Sequence, residues 1–458
     1  MFSLFTAWLF LLGAAFPNGA TEQPRPNIIV IITDDAGYID YGFSGEGVVP
    51  TPNIDSIAKR GAVFEQGYVT ASVCSPSRAG LLSGRYQQRF GHEFNLAPRA
   101  RERRLGMPPS EVTIAEALRA QGYRTGAVGK WHVGSADGLT PTDQGFDWFA
   151  GLLGGSRSYF QDPEPSHAHA LRIDGAPIGE PDGLYVTDWI GDRAIDFVRQ
   201  DDTRPFFLYV SYTAPHTPMH ASPEDFGAVR DLEPELRRTY GAMVRALDRS
   251  VGQILAELDT SGARDDTLIF FINDNGGATN NGSDNGLYRG MKGSKWEGGI
   301  RVPFAASWPG VIPAGTMLSD PVMSFDIYAT ALAAAGGVSD RTDGANVLPA
   351  LTIGDTTALD RDLFWRRGVA AAVRRDNWKL IRSEGNPTLL FDLSTDPRER
   401  QDVADEHPEV VEDLLRALEA WEVDLAEPGW VEAPKWRRNQ IRKHRLEVET
   451  REQERKFP

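Results

Sequence analysis

Four oxygen-bearing side chains close two apolar runs. Asp34-Asp35 follow NIIVIIT, and Asp274-Asn275 follow LIFFIN. Gathered in one place, they would repel one another unless a cation sat among them. An all-oxygen set suits Ca²⁺, with Mg²⁺ as the alternative, better than Zn²⁺. Asp and Asn are also ordinary caps after strands. One pair alone would read that way, but two pairs after two buried runs point to a metal. A second set is basic: Lys130 and His132 in GKWHVG, His216 in APHTP, and Lys292 in RGMKGSK. Singly, each reads as a solvated charge or a hydrogen-bonded surface histidine. Beside a metal, together, they would form a cationic pocket suited to an oxyanion. The lone cysteine, Cys74 in SVCSPSRAGLLSGR, has three readings. It is a buried structural thiol, a thiolate nucleophile helped by Arg78 and a helix beginning near Ser77, or a site of modification.

The elements that must position these residues can be read from hydropathy. Ile28 to Ile32 and Leu268 to Ile272 are continuously apolar. Strands buried on both faces have that pattern, which implies a mostly parallel sheet between helices. YRTGAVGKWHVG and RPFFLYVSYTAPH supply two more strands, each running into one of the basic residues. Between them lie helical segments such as PNIDSIAKRG, VTDWIGDRAIDFVRQ and the long ELRRTYGAMVRALDRSVGQILAELDTSG. SEVTIAEALRAQG reads as a helix with Ser110 as its N-cap and Gly122 as its stop. Alternating strands and helices make an α/β fold. Ligands of such sheets bind beyond the carboxyl ends of the strands, where Asp34-Asp35, Lys130, His132, His216 and Asp274-Asn275 lie.

A second, α+β unit starts near Arg361. AAAVRRDNWKLIRS reads as a hairpin turning at Asp376-Asn377, TLLFDLSTDP as another strand, and HPEVVEDLLRALEAWEVDL as an amphipathic helix with Val410, Leu414, Leu418 and Trp421 on one stripe. This gives an antiparallel sheet with one helix over residues 361–425, after an α/β domain spanning 24–360. Residues 426–458 form a charged tail: from Lys435 onward it has nine Lys or Arg against four Glu, and reads as a surface helix or a frayed end. Residues 1–20, MFSLFTAWLFLLGAAFPNGA, resemble a secretory signal peptide without a basic n-region, which implies a periplasmic or secreted protein. No later run is apolar enough for a membrane span. The net charge of −16 argues against nucleic acid as a partner, but a local pocket can still oppose that sign.

Cys74 and its neighbours carry a resemblance. CSPSRAGLLSGR resembles the Cys-x-Pro-x-Arg signature of the type I sulfatases. PNIIVIITDDAGYID, TPNIDSIAKRGAVFEQGY, GKWHVG, APHTP, NDNGG, RGMKGSKWEGGIRVPFAASWPG and LLFDLSTDPRERQDVA are similar to further blocks of that family, in the same order, from about Pro26 to Leu425. The resemblance implies an alkaline phosphatase-like fold, with 24–360 as the catalytic domain, and hydrolysis of sulfate esters. It implies that Cys74 is converted to Cα-formylglycine by a formylglycine-generating enzyme. One hydroxyl of the hydrated aldehyde attacks sulfur, and the other lets the sulfated hemiacetal collapse. It implies Ca²⁺ held by Asp34, Asp35, Asp274, Asn275 and modified Cys74, with Arg78 holding the diol and the metal carboxylates. Lys130 and Lys292 would neutralise sulfate charge, His132 would take the diol proton, and His216 would protonate the leaving alcohol. Lys292 rather than Lys295 leads the family's K-G-S/T-x-x-E-G-G pattern. The likeness to bacterial carbohydrate sulfatases points to a sulfated glycan. His92, just after the signature helix, reads as a sugar contact and the Arg99–Arg104 run as a contact to neighbouring sulfates, with a plain solvated loop an equal reading of both; Ser156 is the nearest candidate for a further substrate-binding polar residue beside GFDWFAGLLGGSRS. Two competing readings are a phosphomonoester or phosphonate hydrolase of the same superfamily, and a non-catalytic glycan-binding pseudoenzyme.

Overall fold

Burial on both faces turns the apolar runs into the middle of a sheet. A computed structural model describes residues 25–45, 47–96 and 100–445; the leader read at 1–20, Arg99 and the last residues of the tail lie outside them. Ile28 to Ile32 and Leu268 to Ile272 are at most 1% exposed. Their side chains alternate between two cores. Ile28, Val30 and Ile32 join one with the helices Cys74–Ser83, Ile114–Ala120 and Asp326–Ala334. Ile29 and Ile31 join the other with Pro52–Lys59, Val186–Val198 and Glu235–Thr260. The result is a helix–sheet–helix sandwich.

The sheet has ten strands. Its centre runs Phe304–Ser307, Thr267–Asn273, Asn27–Thr33, Phe206–Ser211, Arg124–Lys130, Trp148–Leu152. Every pairing in that series is parallel except that of Phe304–Ser307. Register fixes where the strand ends fall. Thr33 pairs with Asn273, Ile32 with Ser211, and Gly129 with Ser211. Asp34, Asp274 and Lys130 therefore emerge at one edge.

The second unit is a four-stranded antiparallel sheet, Leu363–Arg367, Ala370–Arg375, Trp378–Ser383 and Leu389–Asp392, with the helix Pro408–Val423 on one face. Arg375 pairs with Trp378, so the hairpin turns at Asp376-Asn377 as read. Its core includes Tyr68, Trp296 and Phe325 of the larger unit, so apolar packing is continuous between the two.

Two local readings change, and a third is narrowed to its surface-helix alternative. The third helix begins at Ile114, and its cap is Thr113, not Ser110. Thr113 Oγ1 accepts from Glu116 N at 3.1 Å and Glu116 Oε2 accepts from Thr113 N at 2.8 Å, a reciprocal capping box that outcompetes an upstream serine. The signature helix begins at Cys74 rather than near Ser77. The tail contains a docked helix, Pro434–Lys443. Among the described residues no helix is long and apolar enough to cross a membrane.

Candidate active site

The strand ends deliver one connected cluster of charge. Lys130 Nζ lies 2.6 Å from Asp34 Oδ2, and both side chains are fully buried. Arg78, one turn into the signature helix, places Nε and Nη2 each 2.9 Å from Asp274 Oδ2. Lys292 Nζ lies 2.6 Å from Asp35 Oδ1 and 3.0 Å from Cys74 Sγ. His216 Nε2 stands 3.5 Å from Asp35 Oδ2. Its Nδ1 is 2.6 Å from Thr217 O, and a proton there leaves Nε2 facing the cluster. Asp35 and His132 both hold positive φ, 65° and 62°, the left-handed backbone that Asp and His adopt more readily than most residues.

The electrostatics follow from burial and neighbours. Burial raises the Asp34 carboxyl, but Lys130, His216, Arg78 and Lys292 together drive it well below the usual carboxylate range. Burial and the Asp34 charge instead push Asp274 up to about 6, against the pull of Arg78. Burial, then Lys130 and Arg78, hold His132 well below its ordinary value, so it stays neutral. Burial lifts the Cys74 thiol to about 12, although Lys130 and Lys292 oppose this. A thiol held neutral is a poor nucleophile, which weighs against the thiolate reading.

The residues fit a cation. Ligand atoms of Asp34, Asp35, Cys74 and His216 lie within 4.8 Å of one another. Asn275 donates from Nδ2 to Asp35 Oδ1 at 2.8 Å, while its buried Oδ1 has no hydrogen-bond partner. A buried carbonyl oxygen without a donor costs free energy unless something positive meets it. Asp34, Asp35 and Asn275 bring hard oxygens that suit Ca²⁺ or Mg²⁺, whereas the expected ligand Asp274 is not part of that close group and His216 is.

Asp35, His132, His216 and Lys292 face a cavity of about 1190 Å³. Two expected sugar contacts do not. His92 is fully buried, with Nε2 2.7 Å from Ser75 Oγ and its ring 4.8 Å from Trp430, so it ties the signature helix to the C-terminal segment. Packing that the local sequence does not reveal has taken it out of reach of solvent. Ser156 does not line the cavity, whereas Gly154 and Gly155 do. Of the basic run, Arg101 reaches the wall.

Several residues escaped sequence reasoning. Ser211 Oγ accepts from Arg78 Nη1 and donates to Lys130 O at 2.6 Å, linking two of the cations. Tyr159 Oη donates to Thr213 O at 2.7 Å and lies 2.9 Å from His216 O, which braces the His216 loop. Glu297 of the WEGG run holds Lys379 at 2.8 Å, and Lys379 also meets Glu399 at 2.7 Å, tying the Lys292 loop to the small sheet. Trp436, Asn439, Gln440 and Lys443 of the tail line the cavity. Only the last had a legible signal, because the tail's basic helix was visible but its docking was not.

Comparison with known proteins decides the family. The sulfatase family model matches residues 26–338, well over half of the chain. This chain belongs to the sulfatase family. It is similar to the N-acetylgalactosamine-6-sulfatase of Canis lupus familiaris, 36% identical over 394 residues, 79% of this chain and 73% of that one. It is also similar to the steryl-sulfatase of Rattus norvegicus, 29% identical, with 90% and 91% covered. The crystal structure of Ps i-CgsB in complex with k-i-k-neocarrahexaose superposes with a TM-score of 0.85 at 35% identity, covering 90% of this chain and 96% of that one. A phosphonate monoester hydrolase of Agrobacterium radiobacter shares the fold alone, at 23% identity and a TM-score of 0.63. The sulfatase is therefore a sulfuric ester hydrolase on an alkaline phosphatase-like α/β fold.

Proposed function

We propose that this sulfatase removes sulfate from a sulfated carbohydrate, using a formylglycine made from Cys74 and a bound Ca²⁺, after export to the periplasm or beyond. One observation carries the reading. Cys74 heads a helix between Asp34 and Lys292, with Sγ 3.5 Å from Asp34 Oδ1 and 3.0 Å from Lys292 Nζ. A thiol held neutral there is ill suited to attack, whereas an aldehyde hydrate at the same Cβ has oxygens for a cation and for sulfur.

Asp34, Asp35, Asp274 and Asn275, with the modified residue, would hold the Ca²⁺. When bound, it supplies Lewis-acid polarisation of the sulfate and favours ionisation of the diol. The chain's own residues do the rest. Arg78 keeps Asp274 oriented. Lys130 and Lys292 offset charge on the sulfate oxygens as the sulfur–oxygen ester bond breaks. His216, acting as the imidazolium with Nδ1–H on Thr217 O, delivers its Nε2 proton to the departing sugar oxygen and regains one from water before the next turnover. His132, kept neutral by burial, accepts a proton from the remaining hydroxyl as sulfate is expelled, which restores the aldehyde. Water enters once per turnover, and the products are an alcohol and sulfate. The sugar preference draws on the relatives: one is named for N-acetylgalactosamine 6-sulfate, and one holds neocarrahexaose.

The test is co-expression with a formylglycine-generating enzyme. Intact and peptide masses should show Cys74 converted, and the converted protein should hydrolyse 4-nitrophenyl sulfate and sulfated sugars. Cys74→Ala should fold with an unchanged melting temperature but lose at least three orders of magnitude in kcat. Full activity in Cys74→Ala would overturn the mechanism.

A further inference from the structure

The C-terminal helix Pro434–Lys443 is strongly basic, yet it does not float free. Lys443 O accepts from Trp296 Nε1 at 2.9 Å. Lys295 N donates to His444 Nε2 at 2.9 Å, while the other ring nitrogen lies 2.7 Å from Gln440 O. Lys443 Nζ donates to Lys292 O at 2.5 Å. The segment before the helix is stitched down as well: Trp430 Nε1 donates to Asn95 O at 2.8 Å, and Gly429 N to Gly91 O at 2.9 Å. The helix is thereby fixed to the same loop that carries Lys292.

Its inward face is unusual. Residues 436, 439, 440 and 443 follow the i, i+3, i+4, i+7 spacing that normally presents an apolar stripe to a core. Here they are Trp, Asn, Gln and Lys, and they line the cavity. Trp436 is 53% exposed at that wall. Lys435 Nζ lies 5.8 Å from the centroid of that ring, and the rest of the indole offers the cavity a flat, rigid apolar face with a polar edge, the kind of surface an amphipathic ligand covers. The cavity, at about 1190 Å³, also exceeds the roughly 300–1,000 Å³ of pockets that bury a drug-sized ligand. A single sugar sulfate would leave much of it empty.

We propose that this helix is a second sugar-binding wall, and that the Trp436 indole is a platform for a pyranose ring beyond the one bearing the scissile sulfate. The substrate class is thus a sulfated oligosaccharide rather than a free sugar sulfate. The proposal rests on the carbohydrate reading above. The CH face of a pyranose covers the indole, while its hydroxyls meet Asn439, which lies one turn on along the same wall; the Gln440 amide is buried and donates to Glu432. Trp436 acts on affinity and chain-length preference, and takes no part in bond breaking.

The experiment uses the converted, full-length enzyme on three probes: 4-nitrophenyl sulfate, sulfated monosaccharides, and size-fractionated sulfated di- to hexasaccharides from carrageenan and chondroitin sulfate. Wild type should show a kcat/KM that rises about tenfold or more from monosaccharide to the best oligosaccharide. Trp436→Ala should raise KM for that oligosaccharide about tenfold, with kcat changed far less, and should flatten the length dependence. Trp436→Phe, which keeps a ring, should recover most of the difference. Equal losses on short and long probes, or a wild type indifferent to length, would overturn the proposal and leave the carbohydrate reading standing. Turnover of 4-nitrophenyl sulfate with no sulfated sugar of any length accepted would overturn both. Trp436 is on the surface, so melting temperatures should match and a folding defect would be visible as such.

Discussion

Lys292 and Lys295 stand three residues apart on one loop, and their surroundings separate them completely. Lys292 Nζ touches the Asp35 carboxylate and Cys74 Sγ, and burial is outweighed by the Asp35 charge, so its pKa is raised and it stays charged. Lys295 is 1% exposed, with Nζ 3.3 Å from Ser72 Oγ. Burial, then Arg367, depresses it to about 7. The two substitutions should therefore read out in different experiments. Lys292→Ala should lower kcat/KM by about 10²–10³ on aryl and sugar sulfates alike, the usual loss of one preorganised donor to a developing anion. Lys295→Met should act on stability. A lysine depressed from 10.5 to about 7 in the fold gives stability that is fully present above about pH 10.5 and lost as pH falls through 7. Methionine removes that loss. Thermal melts from pH 10 to pH 6 should show the variant gaining on wild type as pH drops. A parallel pair of curves would mean that Lys295 is not held neutral in the fold.

Strand ends and the loops after them set the reach of these side chains. The pairs Asp34-Asp35 and Asp274-Asn275 were legible because each follows a run too apolar to be anything but a buried strand, and register then brings both to one edge. Ser110 misled because a serine before an apolar-periodic stretch is a sound N-cap signal, and only the Thr113–Glu116 reciprocity three residues on outranks it. Gly155 shows what a sequence cannot display. A Cβ built there would fall 2.6 Å from both Cε1 and Nε2 of His132. The glycine lets the loop after Trp148–Leu152 lie flat on the imidazole and fixes its orientation. Gly155→Ala should displace the ring and lower kcat by about 10², the scale of a roughly 1 Å misplacement of a reacting group. KM should move far less, and the melting temperature should stay within a few degrees. Unchanged kcat would show that the His132 position is not critical to turnover.

At the scale of the whole molecule, the apolar cores and the α/β order were readable from hydropathy, while the long-range stitching was not. Ser211 and Tyr159 act on partners far away in sequence, and nothing in their own neighbourhoods marks them; Glu297 stands in a visible motif, but its partner Lys379 does not. The same holds for the route of the C-terminal segment back across the cavity. These links converge on a site whose stability depends on charge balance. Burial and Asp34 lift Asp274 from 3.8 to about 6. Arg78, 2.9 Å away, balances the carboxylate in part. Without metal, a raised carboxyl gives stability that is present below about pH 3.8 and lost as pH rises through 6. If Ca²⁺ binds here as proposed, it would compete with the carboxyl proton, so its benefit should be small at pH 5 and large at pH 7.5, where no proton competes. With free Ca²⁺ at about 100 times Kd, the stabilisation is about 2.7 kcal/mol. An unfolding entropy of about 2.1 cal/mol/K per residue converts this, for a chain of this length, to a rise in Tm of about 3 °C. Melts of chelator-treated protein with and without Ca²⁺ at both pH values test this. Asp274→Asn should abolish the pH dependence of the Ca²⁺ effect, because the amide carries no titrating proton. A Ca²⁺ shift equal at pH 5 and pH 7.5 in the wild type would show that Asp274 does not couple proton and cation, and no shift at either pH would remove the cation from this cluster.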